Sequence, residues 1–337
     1  MPAGLRDART MAILTDTSPQ RVGSGFVSVP VQILRCLDTT PVSLFIPYES
    51  GSRYVLFREA GYDVSRERAE DVAANCGSHL YIRGEELEDF CRAFSSNVHT
   101  LLEDESISPV DRFDVLQIAI SVEVENSWRS TGVEEYVDLS HRLGGQITSL
   151  MQHDDVLTGD LFGIVRHDYT TFVHVTNVAG YAVLLARGLG IVPDELEVMA
   201  VGALLHDLGK RHIPSSILSK PSRLEPSERE IICTHPQRGY EELCGRSDLD
   251  KRQLMMVYQH HEHLDGNGYP VRVLDREIDP WAKLLAVVDV FDALTGVRPY
   301  RRPATKREAL SFLRSRAGSQ FDAEMVACWT SLMQEKK

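Results

Sequence analysis

The chain has 337 residues, with 36 lysines and arginines against 49 aspartates and glutamates, a formal net charge of −13. At roughly 100–200 residues per domain the length predicts two or three domains, and 43% apolar with 25% charged residues excludes wholesale disorder. The acidic excess excludes a broad duplex-binding surface, which needs clustered lysine and arginine to displace counterions, but not a small phosphorylated ligand.

That excess is unevenly placed. Residues 1–156 hold 13 basic and 25 acidic side chains, a balance of −12, whereas residues 157–337 hold 23 and 24, a balance of −1. All seven lysines and eight of the twelve histidines lie in the second part, so chemistry is sought there first. No run of about 18 apolar residues occurs, so no membrane span is expected. The apolar patch Met11–Leu14 is too short for a secretory core. Six scattered cysteines (Cys36, Cys76, Cys91, Cys233, Cys244, Cys328) without CxxC spacing read as reduced thiols of a cytoplasmic protein.

In chain order, residues 1–25 read as a flexible tail. Gly23-Ser24-Gly25 lacks the Lys-Ser/Thr of a phosphate loop and reads as a linker. Strand character starts at Val27, and the β-favouring runs 42–47 and 53–58 flank a hairpin signal over 48–52. A helix over Ser65–Cys76, a strand over His79–Arg83 and a helix from Glu85 to about Leu102 complete a small α+β domain, residues 26–104. Pro109 marks a boundary. Residues 105–160 read as a helical connector of two helices, with Val115, Ile118, Ala119 and Val122 at helical spacing and Gly144-Gly145 expected to interrupt the second.

From residue 161 to 337 the pattern is helical. Helices are predicted over Val175–Leu189, Pro193–His206, Ser227–His235, Asp248–His261, Pro280–Leu294, Thr305–Arg316 and Asp322–Gln334, with an ordered Gly/Pro/Asp-rich loop over Leu264–Asp279. The expected fold class is mostly α: a C-terminal all-α bundle, a small N-terminal α+β domain and a helical connector.

Metal-ligand residue types cluster at the ends of these helices: His206-Asp207, His260-His261 and Asp289, with His174 and His235 on neighbouring helices. Adjacent helical residues point about 100° apart, so such a pair can serve two metals lying side by side. Imidazole and carboxylate suit a borderline divalent ion, and several helices each giving one or two ligands is how bundles build dinuclear centres. His261-Glu262-His263 has the wrong spacing for a zinc-protease HExxH, and no cysteine pair suggests a thiolate zinc site.

The stretch His206-Asp207-Leu208-Gly209-Lys210, followed by Ile213-Pro214 and Ile217-Leu218-Ser219-Lys220-Pro221, resembles the HD motif of the HD superfamily of metal-dependent phosphohydrolases. His260-His261-Glu262-His263-Leu264-Asp265-Gly266-Asn267-Gly268-Tyr269-Pro270 looks like the HHExxDGxGYP signature of the HD-GYP subfamily. Asp289-Val290-Phe291-Asp292-Ala293-Leu294-Thr295 and Arg298-Pro299-Tyr300-Arg301 are similar to its closing helix and the loop behind it.

The resemblance implies an HD-type helical bundle over residues 161–337 that hydrolyses the cyclic dinucleotide c-di-GMP to linear pGpG and GMP in bacterial second-messenger signalling. It implies metal ligation by His174, His206, Asp207, His235, His260, His261 and Asp289. Asp207 would bridge two divalent ions, Fe or Mn, that activate a hydroxide. Lys210 and Arg298 would hold phosphates, with Arg301 and Asp168 as further substrate contacts. Tyr269 of the Gly268-Tyr269-Pro270 loop would shape the cavity edge. Members with a third metal carry a glutamate where this chain has Thr170, so a dinuclear centre is expected; Asn177 stands where many members have arginine. These departures keep a second class open, a c-di-GMP receptor or interaction protein with little turnover, and another cyclic dinucleotide as substrate is a third option. Residues 26–104 are expected to be regulatory or to dock a protein partner, and a homodimer is compatible with the sequence.

Overall fold

A computed structural model describes residues 26–31, 34, 37–48, 53–64, 69–76, 79–86, 89–90, 93, 132–152, 171–218, 220, 222–296 and 302–334. The chain divides into two compact units, residues 1–119 and 120–337.

In the first unit, strands β1 (Phe26–Pro30), β2 (Leu44–Tyr48), β3 (Arg53–Arg58) and β4 (His79–Arg83) form one antiparallel sheet in the order β1-β4-β2-β3, with helix α1 (Ala69–Cys76) beside β4. Alternation along β4 buries Leu80 and Ile82 on one side. The opposite side carries Tyr81, which with Phe26, Phe45 and Tyr54 makes a chain of ring contacts 4.3–5.0 Å apart. The three strands that the sequence predicts from residue 42 to 83 are present; the hairpin turn, and the helix predicted from Glu85 beyond residue 93, lie outside the described residues.

Among the described residues the second unit is helical. Its helices are α2 (Val133–Gln152), α3 (Thr171–Gly188), α4 (Pro193–Leu205), α5 (Ser215–Leu218), α6 (Pro226–Ile232), α7 (His235–Leu243), α8 (Lys251–Gln259), α9 (Pro280–Thr295), α10 (Lys306–Ser315) and α11 (Ala323–Gln334). α3 and α9 are apolar nearly all round, and their Ala179, Val183, Leu185, Leu285, Val287 and Phe291 are fully buried, as befits helices at the centre of a bundle. α4 packs between α2, α3 and α8, and α9 packs on α3 and α8. Several starts are capped as the sequence dictates: Asp250 and Thr305 close capping boxes with Gln253 and Glu308, and Asp279 accepts from the Trp281 N–H ahead of Pro280.

Two expectations fail. α2 runs unbroken through Gly144-Gly145. Glycine weakens a helix interior by about 1 kcal/mol relative to alanine, but a Cβ at Gly144 would lie 2.7 Å from Val201 Cγ2 and 3.4 Å from the Glu197 carbonyl. The glycine is there so that α2 can lie against the backbone of α4, and the packing outweighs the propensity. This places α2 in the same compact unit as the bundle. The single helix predicted over Ser227–His235 is instead α6, a turn at Cys233-Thr234, and a second helix α7 that begins at His235 with Pro236 in its first turn. No helix among the described residues is long and apolar enough to cross a membrane.

Candidate metal centre

All seven residues whose type and position suggest metal binding come together in the bundle. Two groups of three place their ligand atoms within 4.8 Å of one another: His174, His206 and Asp207, and His235, His260 and His261. Asp207, only 1% exposed, belongs to the first group and also faces the second. Its Oδ2 is 3.7 Å from His174 Nε2 and 3.4 Å from His206 Nε2, while its Oδ1 is 3.3 Å from His235 Nε2 and 4.0 Å from His260 Nε2. Asp289 spans the same gap on α9, with Oδ1 3.1 Å from His174 Nε2 and Oδ2 3.9 Å from His261 Nδ1.

The ends of helices aim the imidazoles. The last carbonyls of a helix have no N–H partner within it, and here histidines take them. His206 Nδ1 bonds the Ala203 carbonyl at 2.6 Å, His235 Nδ1 bonds Ile232 at 2.8 Å, and His260 Nδ1 bonds Met256 and Val257, each at 3.0 Å. A carbonyl only accepts, so each Nδ1 carries the proton and each Nε2 keeps its lone pair facing inward. His174 is held differently: its Nδ1 lies 2.7 Å from Asp292 Oδ2, and Asn177 Nδ2 donates to Asp292 Oδ1 at 2.9 Å. Imidazoles that bind metal commonly give their second nitrogen to such a partner, which fixes ring orientation.

Gly209 makes the convergence possible. A Cβ there would lie 1.9 Å from the His235 carbonyl oxygen and 2.6 Å from the Gly239 nitrogen. The 3-10 turn Leu208–His212 therefore presses directly on the start of α7 and brings His235 to Asp207.

Electrostatics favour metal binding. Burial lowers the pKa of His260 to about 3, helped by His206 and His235 nearby, and burial also pushes His235 and His261 down. These rings stay neutral and available as ligands. Burial also opposes charge on Asp207 and Asp289, yet Lys210 and the surrounding histidines hold Asp207 well below the carboxylate range, and His174 does the same for Asp289. Burial likewise works against protonated His174, but Asp289 and Asp292 overcome it and raise its pKa to about 9. His206 Nε2 and Asp207 Oδ1 are buried with no hydrogen-bond partner, which is costly unless another group satisfies them. The donor set of five imidazoles and two carboxylates fits two divalent ions.

Of the residues expected to touch substrate, Lys210 places Nζ 2.5 Å from Asp207 Oδ2, and Tyr269 stacks on His261 at 4.6 Å with rings 29° apart. Asp168, Arg298 and Arg301, like Thr170, lie outside the described residues. Asn177 is 1% exposed and donates to Asp292 behind His174. The loop behind Tyr269 is held by buried Glu262, whose carboxylate accepts the N–H groups of Val271 at 2.7 Å and Arg272 at 2.9 Å, the latter in a left-handed conformation at φ 69°. Sequence reasoning passed over Asp292 as a functional residue; its signal was the spacing of three from Asp289, which places both on one face of α9.

Residues 162–325 match the HD domain family model. The cyclic di-GMP phosphodiesterase response regulator RpfG of Xanthomonas campestris is 38% identical over 153 residues, 45% of this chain and 40% of the relative. The 3'3'-cGAMP-specific phosphodiesterase 2 of Vibrio cholerae is 37% identical over 161 residues, 46% of this chain and 30% of the relative. The chain thus spans less than half the length of these curated relatives. The solved structure of Bd1817, an HDG"Y"P protein from Bdellovibrio bacteriovorus, shares the fold with a TM-score of 0.64 at 19% identity, covering 92% of this chain and 99% of that one.

Proposed function

We propose that the chain is a metal-dependent phosphodiesterase that cleaves c-di-GMP to linear pGpG and on to GMP in the bacterial cytoplasm. The observation that carries this reading is buried Asp207, with one oxygen turned to each group of imidazoles and with Oδ1 lacking a hydrogen bond. His174, His206, Asp207, His235, His260, His261 and Asp289 would hold two ions, Fe or Mn being best suited to an all N and O donor set. When bound, two such metals lower the pKa of water and neutralise phosphoryl oxygens.

The chain's own residues do the rest. Main-chain carbonyls and Asp292 hold the ring protons of His206, His235, His260 and His174 on Nδ1, so these four imidazoles need not reorient during turnover. Lys210 is within reach of charge that develops on a phosphate seated over Asp207. In this reading Arg298, Arg301 and Asp168 complete the grip on the substrate and Tyr269 borders it. In this reading residues 161–337 supply the catalytic site, α2 belongs to the same compact unit, and residues 26–104 form a regulatory or partner-docking domain. The identity with a relative named for c-di-GMP hydrolysis supports the substrate class. A second reading, cleavage of a cyclic GMP–AMP dinucleotide, is favoured by the identity with the Vibrio relative.

The test is anaerobic incubation of Fe- or Mn-loaded protein with c-di-GMP and with 3'3'-cGAMP, with the products resolved by chromatography. Linear product from c-di-GMP is expected. Binding of c-di-GMP by calorimetry without any product would replace the enzyme with a receptor. Faster cleavage of cGAMP would select the second reading.

A further inference from the structure

A cavity of about 340 Å³ opens beside the three-imidazole side of the centre. Its lining combines the rings of His261 and Tyr269, the apolar side chains of Ala286, Val290 and Phe321, and the polar Arg229 and Gln320. Its volume is at the lower end of the range of ligand pockets, room for one base with its sugar rather than for a whole cyclic dinucleotide.

Two of the polar lining groups are uncommitted. Arg229, exposed on α6, has no ion-pair partner among the described residues, and the Gln320 side-chain amide has no hydrogen bond among them. The one carboxylate on the wall, Glu262, is taken up by the N–H groups of Val271 and Arg272. An apolar and aromatic lining accepts a flat purine, and the polar groups decide which one. Guanine presents O6 and N7 as adjacent acceptors, which a guanidinium takes with two parallel N–H bonds. Adenine presents N7 beside an N6 amino group, and that donor faces an arginine that can only donate.

We propose that Arg229, supported by Gln320, reads the guanine of the half-substrate bound next to His261, so that it determines which cyclic dinucleotide is preferred. The proposal rests on the reading of the bundle as a cyclic dinucleotide phosphodiesterase.

The experiment compares kcat and KM of the metal-loaded full chain on c-di-GMP and c-di-AMP for wild type, Arg229→Met, Arg229→Lys and Gln320→Ala. Metal content is measured alongside as the check on folding. For Arg229→Met, KM for c-di-GMP should rise about tenfold or more with kcat within about twofold, and the preference over c-di-AMP should fall by a similar factor. Arg229→Lys should recover only part of it, because an ammonium cannot make the paired bonds. An unchanged KM for c-di-GMP, an equal loss on both dinucleotides, or a wild type that prefers c-di-AMP would each overturn the assignment. A wild-type chain that cleaves bis(p-nitrophenyl) phosphate and neither dinucleotide would instead sink the substrate reading, and the guanine subsite with it.

Discussion

His174 is aimed by a side-chain carboxylate, whereas His206, His235 and His260 on the neighbouring elements are aimed by main-chain carbonyls in the last turns of α4, α6 and α8. A main-chain acceptor cannot be deleted by substitution and moves only if its helix moves. A carboxylate can be changed on its own, and Asp292 itself leans on Asn177. His235 and His260 are therefore as fixed as the packing that holds their helices, while on the other side of the centre His174 can be tuned through residues that touch no substrate.

The largest effect should come from the packing that supports the three-imidazole side. Gly209→Ala forces a methyl into the His235 carbonyl, and overpacking of this kind costs about 3 kcal/mol. Calorimetric unfolding of the purified variant should show that loss together with reduced metal content; a wild-type Tm and full metal content would mean that α7 yields freely and that the close approach does not set the site.

The His174 side should respond to Asp292→Asn with about a 10–100-fold weaker metal affinity, as expected when the partner orienting a ligand is removed. Competition with a chelator should reveal one weakened ion and one unchanged ion. Equal weakening of both would erase the distinction between the two sides. Asn177→Leu, one bond further out, should produce a smaller shift in the same direction.

The smallest effect is a pH profile of the metal-free chain. His260 has a folded pKa of about 3 against about 6.5 unfolded, so its contribution is intact above about 6.5 and is lost as pH falls toward 3. His174 has a folded pKa of about 9, so its contribution is intact below about 6.5 and is lost as pH rises toward 9. Tm should peak between these arms, and His174→Gln should remove the alkaline arm alone. An alkaline arm that survives this substitution would show that another group carries it.

The site was legible in the sequence because its ligands sit in contiguous motifs: His206-Asp207 and His260-His261 are adjacent in the chain and the bundle brings them together. Partners joined only by the fold were not legible. Asp292 lies 118 positions from His174, and the acceptors for the other histidines are carbonyls that carry no residue identity. Most helix positions followed from apolar periodicity and caps. The break after Ile232 was missed because Cys233-Thr234 is a weak stop signal, and the continuity of α2 was missed because a glycine pair reads as an interruption unless the facing Val201 is known.

The central claim is that Asp207 joins two metal sites into one centre. Elemental analysis of metal bound per chain, on wild type and Asp207→Ala purified anaerobically side by side, tests it most directly. The account predicts about two ions in the wild type, as in carboxylate-bridged two-metal sites, and loss of both in the variant. An Asp207→Ala chain that keeps either ion at wild-type occupancy would contradict it.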